Sequence, residues 1–139
     1  MLTYSAKTSA SPATAWALLA RPARWHEWAP HIRGAWGLGQ PEVTRGARGA
    51  AKLLGVVPVP ARVTAKQGGA SWTWMVGPVE MVHRVGPTRD GAEVAIDLLA
   101  PRAIEAALAV SYGPLVGALV RRLAAVAEAS ETQGVRDRP

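Results

Sequence analysis

Between Arg102 and Glu128 apolar residues recur every three or four positions: Ile104, Leu108, Tyr112, Leu115, Leu119, Leu123 and Val126. That spacing places them on one stripe of a helix, with Glu105, Arg121 and Glu128 largely off it. A helix of this length, about 35 Å at about 1.5 Å per residue, needs an extended surface to lie against. Tyr112-Gly113-Pro114 interrupts the stripe, because Pro114 removes one backbone bond and crowds the preceding turn. The chain either kinks there or forms two helices end to end, with Gly113 as C-cap and Pro114 opening the second. Such a break serves equally as the opening of a cavity or as a packing bend.

The preceding hundred residues supply the surface. Leu2 to Ser9 alternates and carries Thr3, Tyr4 and Thr8, so it reads as a strand. Ser11-Pro12 follows as an N-cap with proline at the first helical position. The spacing predicts a short helix over Ala13–Ala20, and Arg21-Pro22 ends it. A second short helix, Ala23–Trp28, stops before Pro30. From Ile32 the pattern changes to strand-length segments: Ile32–Leu38, Ala47–Leu54, Ala61–Lys66, Ser71–Val76, Val79–Val85 and Ala92–Leu99. The turns between them are rich in glycine or contain proline, which predicts an antiparallel meander. The first strand joins it at an edge or beside the last strand. The fold class is therefore α+β: a curved seven-stranded antiparallel sheet closed by a long C-terminal helix, with two short helices after the first strand.

Strand parity predicts the inner face. Met81, His83 and Val85 face in. A two-residue turn at Gly77-Pro78 then pairs Val76 with Val79, Trp74 with Met81 and Trp72 with His83. Val94, Ile96 and Leu98 face in, leaving Glu93 and Asp97 outside. Gly49, Ala51 and Leu53 face in, as do Ala61, Val63 and Ala65, and Ile32, Gly34 and Trp36 complete the wall. Large aromatics thus sit on some strands and Gly or Ala on others. A sheet filled solid by a helix carries Val, Ile or Leu there, so the small residues mean either close helix approach or a ligand cavity.

Composition narrows the picture. At 139 residues the chain is long enough for one real core, here residues 1–129, with 130–139 a polar, disordered tail. Hydrophobic content is 49% with a mean hydropathy of +0.07, and no run of 18 apolar residues exists to form a membrane span. The N-terminus lacks an apolar segment of signal-peptide length, which makes the cytoplasm the default location. Zero cysteines exclude disulfides, thiolate nucleophiles and cysteine metal sites. The net charge of +6 comes largely from 13 arginines. They are scattered singly apart from Arg121-Arg122, without the aromatic interleaving of a nucleic-acid groove. Neither a nucleic-acid partner nor stable membrane insertion is expected, although a basic-surface binder remains an alternative whose binding would fall steeply with salt.

The order strand, two short helices, meander and long helix resembles the SRPBCC superfamily. This is the START-like or birch-pollen-allergen-like helix-grip fold, here in its small bacterial polyketide cyclase/dehydrase form. The residues carrying the likeness are Ser11-Pro12 with Ala15–Leu19, then Ala23-Arg24-Trp25-His26-Glu27-Trp28-Ala29-Pro30, Gly91–Val94, and the helix end Leu119–Glu128. Arg21 departs from the family's usual acidic residue. The resemblance implies a hydrophobic cavity between sheet and long helix for lipid-like, sterol-like or polyketide-like molecules. Members range from carriers to cyclases and hydrolases.

The candidate chemistry is sparse. His83, on the inner face opposite Trp72, is either a general acid or base for proton removal beside a carbonyl or a satisfied core histidine. Tyr112 either orients a ligand carbonyl or caps the apolar core. These two would carry a cofactor-free cyclase or dehydratase reaction, of lyase or isomerase type, as an alternative to simple binding. The expected ligand lining is Trp36, Leu53, Val63, Trp72, Trp74, Met81, His83, Val85, Ile96, Tyr112, Leu115 and Leu119. Trp25 and Trp28 read as anchors of the second short helix. His26 and His31 are five apart across Pro30 with only Glu27 nearby, a poor metal set, and no metal or cofactor is expected. The partner is a hydrophobic small molecule, and the chain is a monomer or homodimer. Apolar Leu54-Gly55-Val56-Val57 reads as a dimer contact or a flap over the cavity mouth.

Overall fold

The computed structural model describes residues 1–53 and 57–136, so Leu54–Val56, and the role expected for them, lie outside the described residues. Strand β1 (Leu2–Thr8) leads into helix α1 (Pro12–Ala20) and a 3-10 segment (Pro22–Glu27). Six strands follow: β2 (Ile32–Trp36), β3 (Arg48–Leu53), β4 (Val57–Gln67), β5 (Ser71–Val76), β6 (Val79–Thr88) and β7 (Gly91–Leu99). Helices α2 (Arg102–Val110) and α3 (Tyr112–Arg136) close the chain. All seven strands form one antiparallel sheet in the order β1-β7-β6-β5-β4-β3-β2, so β1 joins beside the last strand.

Start signals in the sequence act as expected at α1. The Ser11 hydroxyl accepts from the Thr14 N–H at 3.3 Å, and Pro12 opens the helix. The turn at Gly77-Pro78 pairs Val76 with Val79, Trp74 with Met81 and Trp72 with His83. Asp97 points out of the sheet but is buried there. It takes both Arg84 Nε and Nη2, at 2.8 and 2.9 Å, and the Thr3 hydroxyl at 2.8 Å.

Three departures from the expected pattern have local causes. Strand β4 begins at Val57 although it holds Pro58 and Pro60. Val63 donates its N–H to Ala47 at 2.9 Å, so the odd-numbered N–H groups of β4 aim at β3. The prolines face the other edge, where pairing with β5 starts only at Arg62, and no ladder bond is lost. A bulge between Ile32 and Gly34 flips the end of β2. Ala35, opposite buried Ala51, faces in, and Trp36 turns outward with 49% of its surface exposed. A second bulge between Val63 and Ala65 leaves Ala65 exposed in the same way.

The C-terminal break falls at Ser111, the C-cap of α2, rather than at Gly113, and the two helices meet at a 60° bend. Pro114 sits inside the first turn of α3, where no intrahelical bond is lost. The bend resets the helical phase. Val116, Leu119, Val120, Leu123, Ala124 and Ala127 are buried, whereas Leu115 is 41% exposed. Helix α3 runs on past Ser130 to Arg136. Glu131 ties this end down by accepting from Ser11 N at 2.8 Å and Thr14 Oγ1 at 3.0 Å, a carboxylate at the positive end of α1.

Strands β2 and β3 approach through glycine. A Cβ on Gly49 would overlap the Trp36 carbonyl oxygen and lie 2.9 Å from the Gly37 backbone. Backbone on both sides cannot give way as a side chain tip can. Gly49→Ala is therefore expected to destabilise by about 2 kcal/mol or more, read as a fall in the denaturation midpoint. An unchanged midpoint would show that the strands can separate freely.

Candidate functional site

The site is built on the C-terminus of α1, whose last carbonyls have no partner within the helix. Indoles supply the donors. Trp28 Nε1 donates to Leu18 O at 2.8 Å, and Leu19 O accepts from both Trp25 Nε1 at 3.0 Å and Trp72 Nε1 at 3.1 Å. The backbone N–H of Val43 serves Ala20 O at 2.9 Å. These bonds hold the 3-10 segment and β5 together. Trp25 stacks on Trp72 with centroids 5.6 Å apart and planes 9° from parallel, and both meet Trp74 edge-on at 5.4 Å.

His83 continues the stack. Its ring lies 3.8 Å from Trp72 at an angle of 3°, and Nδ1 sits 3.3 Å from the Trp72 carbonyl oxygen. A carbonyl only accepts, so this contact assigns the proton of the neutral ring to Nδ1 and leaves Nε2 as an acceptor. Burial pushes the His83 pKa down to about 3, against the opposing pull of the Trp72 and Met81 backbones and the Asp97 charge. Holding a proton there at neutral pH would cost roughly 5 kcal/mol. Burial also raises the Tyr112 pKa, so its phenol stays neutral.

Two apolar chambers, each partly open to solvent, lie between these rings and the helices. The outer one, about 200 Å³, is walled by Ile32, Ala51, Val59, Ala61, Trp74, Val76, Val79, Met81, Leu108 and Tyr112. The inner one, about 30 Å³, lies among Trp25, Trp28, His31, Trp72, His83, Ile96, Val116 and Leu119. Ile32, Trp74, Met81 and Tyr112 form a wall common to both. A much larger groove of about 1160 Å³ runs past Arg21, Arg24, His26 and Trp36, but its lining is far more polar. A predominantly apolar lining, rather than volume alone, marks a small-molecule site, and the two chambers have it.

Of the residues expected to line a cavity, Trp72, Trp74, Met81, His83, Ile96, Tyr112 and Leu119 come together around these chambers. Val63 and Val85 are buried in the core beside them without reaching the space. Trp36 and Leu115 do not belong, since the bulge in β2 and the bend at Ser111 turn them to solvent. The Leu53 side chain lies outside the described residues. Ala51 and Ala61, expected as small inner residues, line the outer chamber. The reading of His26 and His31 as at most a poor metal pair missed His31 as a chamber residue. Its position after Pro30, at the start of the inward-facing Ile32 strand, was the available signal.

A family model described as polyketide cyclase / dehydrase and lipid transport matches residues 2–128. No curated protein matches the chain in sequence. Among solved structures, a Nitrosomonas europaea protein superposes with a TM-score of 0.75 at 13% identity, covering 94% of this chain and 96% of that one. A START superfamily protein from Mycobacterium smegmatis gives 0.64 at 17% identity, over 91% and 96%. A Rhodobacter sphaeroides protein gives 0.66 at 20%, over 91% of each chain. At such identities the likeness speaks for the helix-grip architecture. With the match running from β1 into α3, the chain belongs to the polyketide cyclase / dehydrase and lipid transport family, with the START-like fold of the SRPBCC superfamily.

Proposed function

We propose that this protein binds a small hydrophobic molecule in the outer chamber between sheet and helices. The observation that carries the reading is an apolar space of about 200 Å³ whose wall includes Ala51 and Ala61, where larger side chains would fill it. The volume sets a size class. Drug-sized ligands need about 300–1,000 Å³, whereas an engineered cavity of about 150 Å³ holds benzene. A single ring or a short branched chain fits, and a sterol or a multi-ring polyketide does not fit without movement of the walls.

A cyclase or dehydratase using His83 as proton shuttle is the weaker reading. The ring is held flat on Trp72 with a pKa of about 3, so it neither carries a proton at neutral pH nor takes one readily. Attraction to an anionic surface through the +6 charge would act outside the chamber and be screened by salt.

Toluene serves as the test probe. It is expected to raise the melting temperature of the protein in a concentration-dependent way, as any ligand bound only by the folded state must. The shift should be insensitive to salt. Ala61→Leu, which fills the chamber, should abolish it. No shift in the unsubstituted protein, or an equal shift in the variant, would remove the outer chamber as the site.

A further inference from the structure

His31 is the anomaly of the site. Both ring nitrogens are shielded from solvent, and neither meets a protein donor or acceptor among the described residues. Leaving such groups without partners costs about 1–3 kcal/mol each, and native structures rarely carry that cost without a use for it. The ring borders the inner chamber and stands edge-on to Tyr112, with centroids 6.5 Å apart. His83 lines the same chamber, its Nδ1 already turned to the Trp72 carbonyl.

The chamber's size and its walls point to one kind of occupant. About 30 Å³ is room for a single hydroxyl-sized group and no ring. The described walls include no Asp, Glu, Lys or Arg. Burial lowers the pKa of both histidines and raises that of Tyr112. No formal charge faces the space at neutral pH, and an ionic head would be left without a counter-charge. A neutral imidazole offers one donor and one acceptor, and a hydroxyl is small enough for the space and answers both.

We propose that the inner chamber is the polar end of the binding site and that His31 recognises the hydroxyl of an uncharged phenol-like ligand, whose ring occupies the outer chamber. This deepens the cavity reading above and rests on it. The two chambers are neighbours that share Ile32, Trp74, Met81 and Tyr112 in their linings, and a ligand reaching from one into the other passes between these side chains. The two aromatic rings of this wall, Trp74 and Tyr112, suit a flat ring better than an alkyl chain.

The experiment compares toluene, p-cresol and p-toluate on the full chain by calorimetric titration, with His31→Phe and His31→Gln alongside. The unsubstituted protein should bind p-cresol about tenfold more tightly than toluene, the factor a single buried hydrogen bond supplies, and p-toluate at least tenfold more weakly than p-cresol. His31→Phe keeps a flat ring but no nitrogens, and should bind toluene and p-cresol alike. His31→Gln keeps a donor and an acceptor and should retain part of the preference, so the test survives if the phenylalanine variant does not fold. Equal binding of toluene and p-cresol by the unsubstituted protein, or a preference that persists in His31→Phe, overturns the role of His31 while leaving the cavity reading standing. Tighter binding of p-toluate than of p-cresol overturns the uncharged-ligand assignment. Failure of toluene and p-cresol alike to bind overturns the cavity reading and this proposal with it.

Discussion

Trp25→Ala is expected to remove about 4 kcal/mol or more of folding stability, from a total of about 5–15 kcal/mol for a domain of this kind. Three separate losses combine. The side chain is 2% exposed, so its deletion leaves a cavity at the centre of the molecule. Its stack on Trp72 and its edge contact with Trp74 disappear, each a pair of the sort worth about 0.5–1.5 kcal/mol beyond burial. Leu19 O loses one of its two indole donors and keeps Trp72. Trp25→Phe separates these effects, because it keeps most of the packing and drops only the N–H; about 1–2 kcal/mol is expected. Urea denaturation measures both. A loss below about 1 kcal/mol for the alanine variant would mean that the cluster is not what joins the 3-10 segment to β5.

The second large effect concerns acid. The His83 pKa falls from an ordinary value of 6.5 to about 3 on folding. Between those values the unfolded chain binds a proton that the folded chain refuses, so stability is complete above pH 6.5 and declines as pH falls. The slope is about 1.4 kcal/mol per pH unit, which amounts to about 2 kcal/mol between pH 7 and pH 5. His31, also lowered by burial, adds loss in the same direction. The carboxylates whose pKa is lowered, Glu27, Glu42, Asp97 and Glu131, lose their contribution only as pH falls through the usual carboxylate range, roughly pH 4. The window from pH 7 to pH 5 therefore reports on histidine. Denaturation curves across it should slope for the unsubstituted protein and keep only the smaller slope from His31 in His83→Gln. A profile without slope would place His83 in contact with solvent and undo the argument that it cannot shuttle protons.

The hairpin of β5 and β6 was legible because one short turn fixes everything beyond it. With Gly77-Pro78 as the loop, Trp72 must face His83 and Trp74 must face Met81, and both do. The edge of the sheet was less so. A single extra residue at Arg33 reverses every side chain after it, and Gly34 is the one hint of the insertion within Ile32–Trp36. The same reversal affects Ala65 beyond the second bulge. Along the helix, a stripe drawn at constant period assumes a continuous axis. The bend at Ser111 restarts the count, which exchanges exposed Leu115 for buried Val116. The donors to Leu18 and Leu19 come from residues 6 to 53 positions away, and so are invisible to local pattern. His31 is of that kind too. Its significance lies in partners it lacks, which only three-dimensional surroundings disclose.

The place of β1 in the sheet also fixes an order of assembly. Leu2 pairs with Leu98 and Thr8 with Ala92, so the first strand made is among the last to find its partner. Strands β2 to β7 zip through neighbouring hairpins with small loop-closure cost, whereas β1 must wait for the far end of the meander. During synthesis its alternating Leu2, Tyr4 and Ala6 remain unpaired until residue 99 has been made. A chain stopped before β7 has nowhere to put β1, and a chain begun after β1 presents β7 as a bare edge open to association.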